Sequence, residues 1–233
     1  MRRLSSFDVI CFDADDTLWV NETFYRTAER NFLDLMSEFT SREEAAKLFL
    51  SLNVANLSTY GFGGNGMTLS MMEAVTKIMP DAVPTFVILK ILEGLESILK
   101  SPVEVYEGVE ESLKQLQLQG CRLVLATKGC NLDQERKVAA SGLAQYFEHV
   151  EVMTDKKESN YHALFRKLRV DPRKALMVGN SMKSDVLPVI ALGGYAVYVP
   201  ADCTWVHEDA PPPASCDRFS EFKSVKHMVD SLF

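Results

Sequence analysis

The chain has 233 residues, of which 47% are hydrophobic and 24% charged, and a formal net charge of -7. That length admits one large domain or a main domain carrying a smaller one, and the composition is that of a globular protein. The negative balance argues against a general basic face for nucleic acid or anionic membrane, and it demands a local cation wherever an anion is to be held.

MRRLSSFDVICF places two arginines before a short apolar run, with no small-residue cleavage site after it, so a secretory signal is not expected. No apolar stretch approaches the roughly 18 residues of a membrane span. Five scattered cysteines without a CxxC pair suit a reducing compartment, and the expected location is the cytoplasm.

The first element is a strand that ends in FDVICFDADDTLW, a greasy run driven against Asp13, Asp15 and Asp16. From about Thr23 to Lys100 the chain reads as helical. AERNFLDLMSEF and REEAAKLFLSLNVANL space their apolar residues at three and four. YGFGGNGM interrupts them as a glycine-rich loop. TLSMMEAVTKIMP follows as a helix with Thr68 as its cap, and FVILKILEGLESILK as another. The ten methionines, Met71 and Met72 among them, read as core filler.

From Pro102 the texture changes to alternation. VEESLKQLQLQG is a helix stopped by Gly120, CRLVLAT a buried strand, LDQERKVAASG a helix stopped by Gly142, and VEVM a short strand. ESNYHALFRKLRV, ALMVG, SDVLPVIALGG and GYAVYVP continue as helix, strand, helix and strand, with Pro188 tolerable in a first turn. DAPPPAS is a loop, and RFSEFKSVKHMVDSL supplies an edge strand and a closing helix. Continuous apolar strands alternating with helices predict an α/β fold, a Rossmann-like parallel sheet with helices on both faces. The expected division is a core of residues 1–19 and 102–233 with a helical insert at 20–101.

In such sheets ligands sit outside the carboxyl ends of the strands. That selects Asp13, Asp15 and Asp16; Thr127 and Lys128; Lys156 and Lys157; and Asn180, Ser181 and Asp185. Aspartate is common in turns and caps, and threonine often ends strands, so each residue gains meaning only from the others. Asp13 and Asp15 repel unless a cation joins them, and Mg2+ takes oxygen ligands of this kind, with Asn180 and Asp185 as further donors. Thr127 brings a hydroxyl and Lys156 an ammonium, which together make a cradle for a phosphoryl group. Lys128 reads as a solvated side chain or a charge at the substrate's edge. Asp185 reads also as a cap for a helix starting at Ser184. The YGFGGNGM loop matches no P-loop, because no GK[ST] follows, and it reads as a plain connection or as a loop whose Tyr60, Phe62 and Asn65 contact a leaving group. His207 reads as an exposed loop histidine.

These residues carry a resemblance. DADDTL is similar to the DxDxT signature of the haloacid dehalogenase (HAD) superfamily, and Thr127 in LAT, a lysine in TDKKE and GNSMKSD resemble its other three motifs, in order. The resemblance reaches from residue 7 to about 200, and the insert resembles a helical C1-type cap. It implies Mg2+-dependent hydrolysis of a small phosphomonoester, with Asp13 as the nucleophile that becomes an aspartyl-phosphate and Asp15 as general acid and base. Thr127 would bind the phosphoryl oxygens and Lys156 would hold the nucleophile; spacing to Tyr161 favours Lys156 over Lys157. The implied metal set is Asp13, the backbone carbonyl of Asp15, Asn180 and Asp185. Asp16 stands where many relatives have Gly, and Asn180 where aspartate is commoner.

Other readings stay open. A phosphomutase keeps the same acids. A dehalogenase needs no Mg2+ and lacks the second acid, so Asp15 points away from it. Phosphonate cleavage needs a distinctive cap lysine, which Lys47, Lys77, Lys90 and Lys100 do not supply. A phosphate-accepting receiver module would carry its acceptor after a later strand and lack the insert. The expected partner is a small phosphate ester, with no nucleic acid and no membrane; the sequence assigns no oligomeric state.

Overall fold

The computed structural model describes residues 3–214 and 216–232. By contact density the chain divides into two compact units, Met1–Glu22 with Val103–Phe233, and Thr23–Pro102.

The first unit is built on six strands: β1 (Val9–Phe12), β2 (Leu123–Lys128), β3 (His149–Met153), β4 (Ala175–Gly179), β5 (Tyr195–Tyr198) and β6 (Phe219–Glu221). They form one sheet in the order β3-β2-β1-β4-β5-β6, every pairing parallel. The chain moves outward on one side of β1 and then returns to build the other side. The order therefore reverses between β1 and β4, the place at which sheets of this type form a crevice beyond their strand ends.

β1 and β4 are buried along their whole length, as strands covered on both faces must be. Ile10 and Phe12 face one layer with Leu125, Leu176 and Val178, and that layer is closed by Leu113 and Leu116 of α6 (Val109–Leu118) and Val225 and Met228 of α10 (Val225–Leu232). Val9 and Cys11 face the other layer, where Tyr161, Leu164 and Phe165 of α8 (Glu158–Leu168) and Val189 of α9 (Leu187–Ala191) pack. Alternate residues of one strand thus feed two cores.

The helix predicted at Ser184 enters differently. Met182–Val186 forms a turn of π-helix that leads into α9. Pro188 has no N–H to offer the carbonyl of Ser184, and that oxygen instead accepts the buried Tyr161 hydroxyl at 3.1 Å. Its start is capped by Ser181, whose hydroxyl accepts the Ser184 N–H at 2.9 Å. Asp185 is not the cap residue; its carboxylate accepts the Ser181 N–H at 2.9 Å.

The second unit contains α1 (Glu22–Met36, which begins at the last residue of the first unit), α2 (Arg42–Ala55), α3 (Leu57–Tyr60), α4 (Gly64–Ile78) and α5 (Thr85–Leu99). Phe32, Met36, Phe49, Met71, Val75, Val87 and Ile91 form its own core, and Met72 packs at the edge. α4 starts four residues before the expected cap, so Thr68 lies buried inside the helix and Gly63 precedes its first turn. The glycines that looked like a loop serve close packing: a Cβ on Gly66 would collide with the carbonyl oxygen of Gly61. Among the described residues no helix is long and apolar enough to cross a membrane.

Candidate active site

The last rung between β1 and β4 is the Asp13 N–H bonded to the Val178 carbonyl at 2.9 Å, which fixes Asp13 at the mouth of the crevice. Its side chain is buried, with Asp13 only 6% exposed. Thr17 Oγ1 donates to Asp13 Oδ2 at 3.1 Å, and Lys156 bonds Asp13 Oδ1. The same Lys156 ammonium donates to Asp185 Oδ1 at 2.7 Å. Lys157, next in sequence, pairs with Asp155 at the surface instead. Burial pushes the Asp13 carboxyl up; Lys156 pulls it back, while Asp185 and Asp15 push it further up. Burial alone would lower the Lys156 ammonium, but Asp13 and Asp185 outweigh it and keep the group charged.

Asp185 approaches so closely that a Cβ on Gly179 would collide with its carboxylate, which accounts for glycine at the end of β4. Thr127 is buried at the carboxyl end of β2, opposite Val152 of β3.

Asp15 lies in a separate nest of donors. Trp19 Nε1 donates to Oδ1 at 2.8 Å, Gln134 Nε2 to Oδ2 at 2.8 Å, and Lys137 Nζ to both oxygens at 2.8 and 2.7 Å. Burial pushes this carboxyl up, but Lys137 and the hydrogen bonds from Gln134 and Trp19 overcome that and hold it below the usual range. Two of these donors come from α7 (Asn131–Ser141), on which Asp133, Gln134 and Lys137 are buried. Gln134 Oε1 is buried without a partner among the described residues, an omission that ordinarily costs about 1–3 kcal/mol. Sequence reasoning missed this cluster. Its one legible signal was Trp19, a large residue just after the acids whose indole N–H needs an acceptor when buried.

Asp16 adopts φ 61, the left-handed region that glycine fills without steric strain. Aspartate adds a function that glycine lacks. Its carboxylate accepts the N–H groups of Asn21 and Glu22 at 2.9–3.0 Å, capping the first turn of α1 from outside.

Lys128 is not a solvated side chain. It is 16% exposed and pairs with Glu208 at 2.5 Å and with Ser184 Oγ at 2.8 Å. Glu208 also accepts the Ser181 hydroxyl at 2.6 Å, so a residue of the loop after β5 is tied to the ends of β2 and β4. His207 beside it contacts Lys183 Nζ at 3.0 Å and stacks on Trp205. Tyr60 and Asn65 belong to the helical unit, exposed at the end of α3 and in the first turn of α4.

Among the described residues no group of three or more His, Cys, Asp or Glu is arranged to hold a metal. The oxygens around Asn180 nevertheless suit a hard cation, because two of the donors are an amide and a backbone carbonyl. The end of the Asn180 amide stands 3.1 Å from Asp13 Oδ2 and 3.2 Å from both the Asp15 carbonyl and Thr17 Oγ1. With Nδ2 turned inward, its two N–H groups are shared among these three oxygens. With Oδ1 inward, acceptors converge as they do around Mg2+.

A buried carboxylate at the end of a central parallel strand, with a buried lysine against it and a second acid two residues on, is an arrangement suited to an α/β enzyme. The chain belongs to the haloacid dehalogenase-like hydrolase family, matched over residues 7–193. It is similar to a haloacid dehalogenase-like hydrolase structure from Xanthomonas campestris, with TM-score 0.86 and 31% identity over 97% of this chain and 91% of that one. It is 23% identical to the glyceraldehyde 3-phosphate phosphatase of Methanothermobacter thermautotrophicus, over 86% of this chain and 88% of that protein. The fold also resembles the HAD-hydrolase YfnB from Bacillus subtilis bound to magnesium, with TM-score 0.65 and 15% identity over 97% and 98% of the two chains.

Proposed function

We propose that the protein is a Mg2+-dependent phosphatase of a small phosphorylated metabolite, acting through an aspartyl-phosphate on Asp13. One observation carries the reading: Lys156 joins the Asp13 carboxylate to Asp185 at the point where the strand order reverses, with Asp15 two residues away. The phosphatase from Methanothermobacter thermautotrophicus supports the choice of a phosphate ester and puts triose phosphates among the first substrates to try.

When bound, Mg2+ supplies positive charge beside the phosphoryl oxygens, held by Asp13, Asn180, Asp185 and the Asp15 carbonyl. Asp13 Oδ attacks phosphorus as the ester P–O bond breaks, and the alcohol leaves with a proton from Asp15. A water then attacks the same phosphorus, its proton passes to the Asp15 carboxylate, and inorganic phosphate departs with Asp13 restored. Asp15 as found is the anion that the second step needs. Thr127 donates to the phosphoryl oxygens, Lys128 lies at their edge, and Lys156 fixes the nucleophile. The helical unit is the cap in this reading. A cytoplasmic location goes with this reading, since the five cysteines are all free thiols.

The test is a panel of phosphorylated metabolites, triose phosphates included, assayed with Mg2+ and with EDTA. Phosphate release that vanishes with EDTA and returns with Mg2+ is expected. An EDTA-resistant rate contradicts the Mg2+ requirement, and accumulation of an isomeric sugar phosphate points to a mutase; either overturns the proposal.

A further inference from the structure

We infer that Glu208 is a specificity-determining residue: it turns the site against esters that carry a second acidic group and toward those with a neutral leaving group. The inference deepens the phosphatase reading above and rests on it. The Glu208 carboxylate closes a set of donors at the carboxyl end of the sheet. Lys128 Nζ donates to Oε1 at 2.5 Å, and the hydroxyls of Ser181 and Ser184 donate to Oε2 at 2.6 and 2.5 Å. Each donor is adjacent in sequence to a residue of the candidate site: Lys128 to Thr127, Ser181 to Asn180 and Ser184 to Asp185. β1 lies between β2 and β4 in the sheet, so the bond from Lys128 to Ser184 Oγ at 2.8 Å spans the strand that leads to Asp13.

An ammonium and two hydroxyls converging on one place make an anion site, and the chain fills it with a charge of its own. Glu208 belongs to a short turn after β5, Val206–Glu208, and that turn takes a second cation too: the His207 carbonyl accepts Lys183 Nζ at 3.0 Å. Lys156 is committed to Asp13 and Asp185, and Lys137 to Asp15. A carboxylate on the leaving group therefore finds Lys128 already neutralised and a like charge beside it. The side chains of Lys128 and Glu208 are only 16% and 12% exposed, so solvent ions screen that charge little. Apolar packing would fasten a loop as well as a little-exposed ion pair does; what the pair adds is a fixed negative charge at this edge of the site. A leaving group of hydroxyl or carbonyl character meets no such repulsion.

Glycerol phosphate and phosphoglycerate, both esterified at a terminal carbon, test the inference, because they differ only in a hydroxymethyl against a carboxylate at the far end. The ratio is read with Mg2+ as kcat/KM, or as Ki against the best ester of the metabolite panel where turnover is slow. The wild type should favour glycerol phosphate roughly 10-fold. In Glu208→Gln that preference should shrink roughly 10-fold, chiefly through tighter binding of phosphoglycerate, because Lys128 is then released to the substrate's carboxylate. Adding Lys128→Met to Glu208→Gln should abolish the gain, which a mere loosening of the loop would not do. Circular dichroism establishes folding. If Glu208→Gln does not fold, the wild-type ratio and Lys128→Met, which should widen the preference roughly 10-fold, carry the comparison. A wild type that favours phosphoglycerate, an unchanged ratio in Glu208→Gln, or a gain that survives loss of Lys128 overturns the assignment and leaves the phosphatase reading standing. Absence of Mg2+-dependent phosphate release from every ester of the panel refutes that reading, and the inference with it.

Discussion

Replacing Glu208 with Gln removes one negative charge from a side chain tied to Lys128, Ser181 and Ser184. Burial pushes the Glu208 carboxyl up, but Lys128 and the two serine hydroxyls more than reverse this and bring it from an ordinary 4.5 to about 2. That difference is equivalent to roughly 3 kcal/mol of folding stability at neutral pH. Because the folded value is the lower one, the contribution is complete above about pH 4.5 and disappears as pH falls toward 2; at pH 3.5 about 2 kcal/mol remains. Urea unfolding followed by tryptophan fluorescence is a suitable assay, since Trp19 and Trp205 both belong to the sheet unit. With a slope of about 2 kcal/mol per molar urea, the variant's midpoint should lie about 1.5 M lower at pH 7, and the gap should narrow by about a third at pH 3.5. A variant as stable as the wild type at pH 7, or a gap that does not change with pH, would refute the argument.

The left-handed backbone at Asp16 predicts an order of stability. Asp16→Gly loses the two N–H bonds that cap α1, at about 1 kcal/mol, and Asp16→Ala loses them and adds about 1 kcal/mol of strain, so alanine should melt lowest. Equal melting of the two variants in thermal denaturation counts against the strain argument. Tyr161→Phe removes the hydroxyl that satisfies the carbonyl orphaned by Pro188, and the buried oxygen should cost about 1–3 kcal/mol in the same urea assay. A neutral effect would show that the π-turn does not depend on this bond.

The sheet was largely legible because its strands say one thing at every level. ALMVG is apolar throughout, buried throughout, and ends in the glycine that Asp185 requires. The start of α4 was not legible, because Gly64 and Gly66 lower helix propensity locally, while the missing side chain of Gly66 permits the approach of Gly61 and that of Gly64 the approach of Leu95 and Ile98. The π-turn before α9 was hidden for a related reason: a single wide turn has no repeating pattern in sequence. The candidate site split in the same way. Asp13, Asp15, Thr127, Lys156, Asn180 and Asp185 follow from strand ends, which the apolar runs locate. Gln134 and Lys137 lie 119 and 122 residues from Asp15 on a helix that buries these polar residues while leaving Leu132 78% exposed, against the usual preference of an amphipathic helix. Glu208 sits in a loop, where no period exists to aim it.

The proposal stands most directly on the covalent history of Asp13. Rapid quench of the enzyme with a radiolabelled phosphate ester and Mg2+, followed by peptide mapping, should find label on the peptide carrying Asp13 within the first turnover and none in Asp13→Asn, which should not hydrolyse the ester. Hydrolysis at the wild-type rate by Asp13→Asn, or normal turnover with no label on that peptide, would contradict the account.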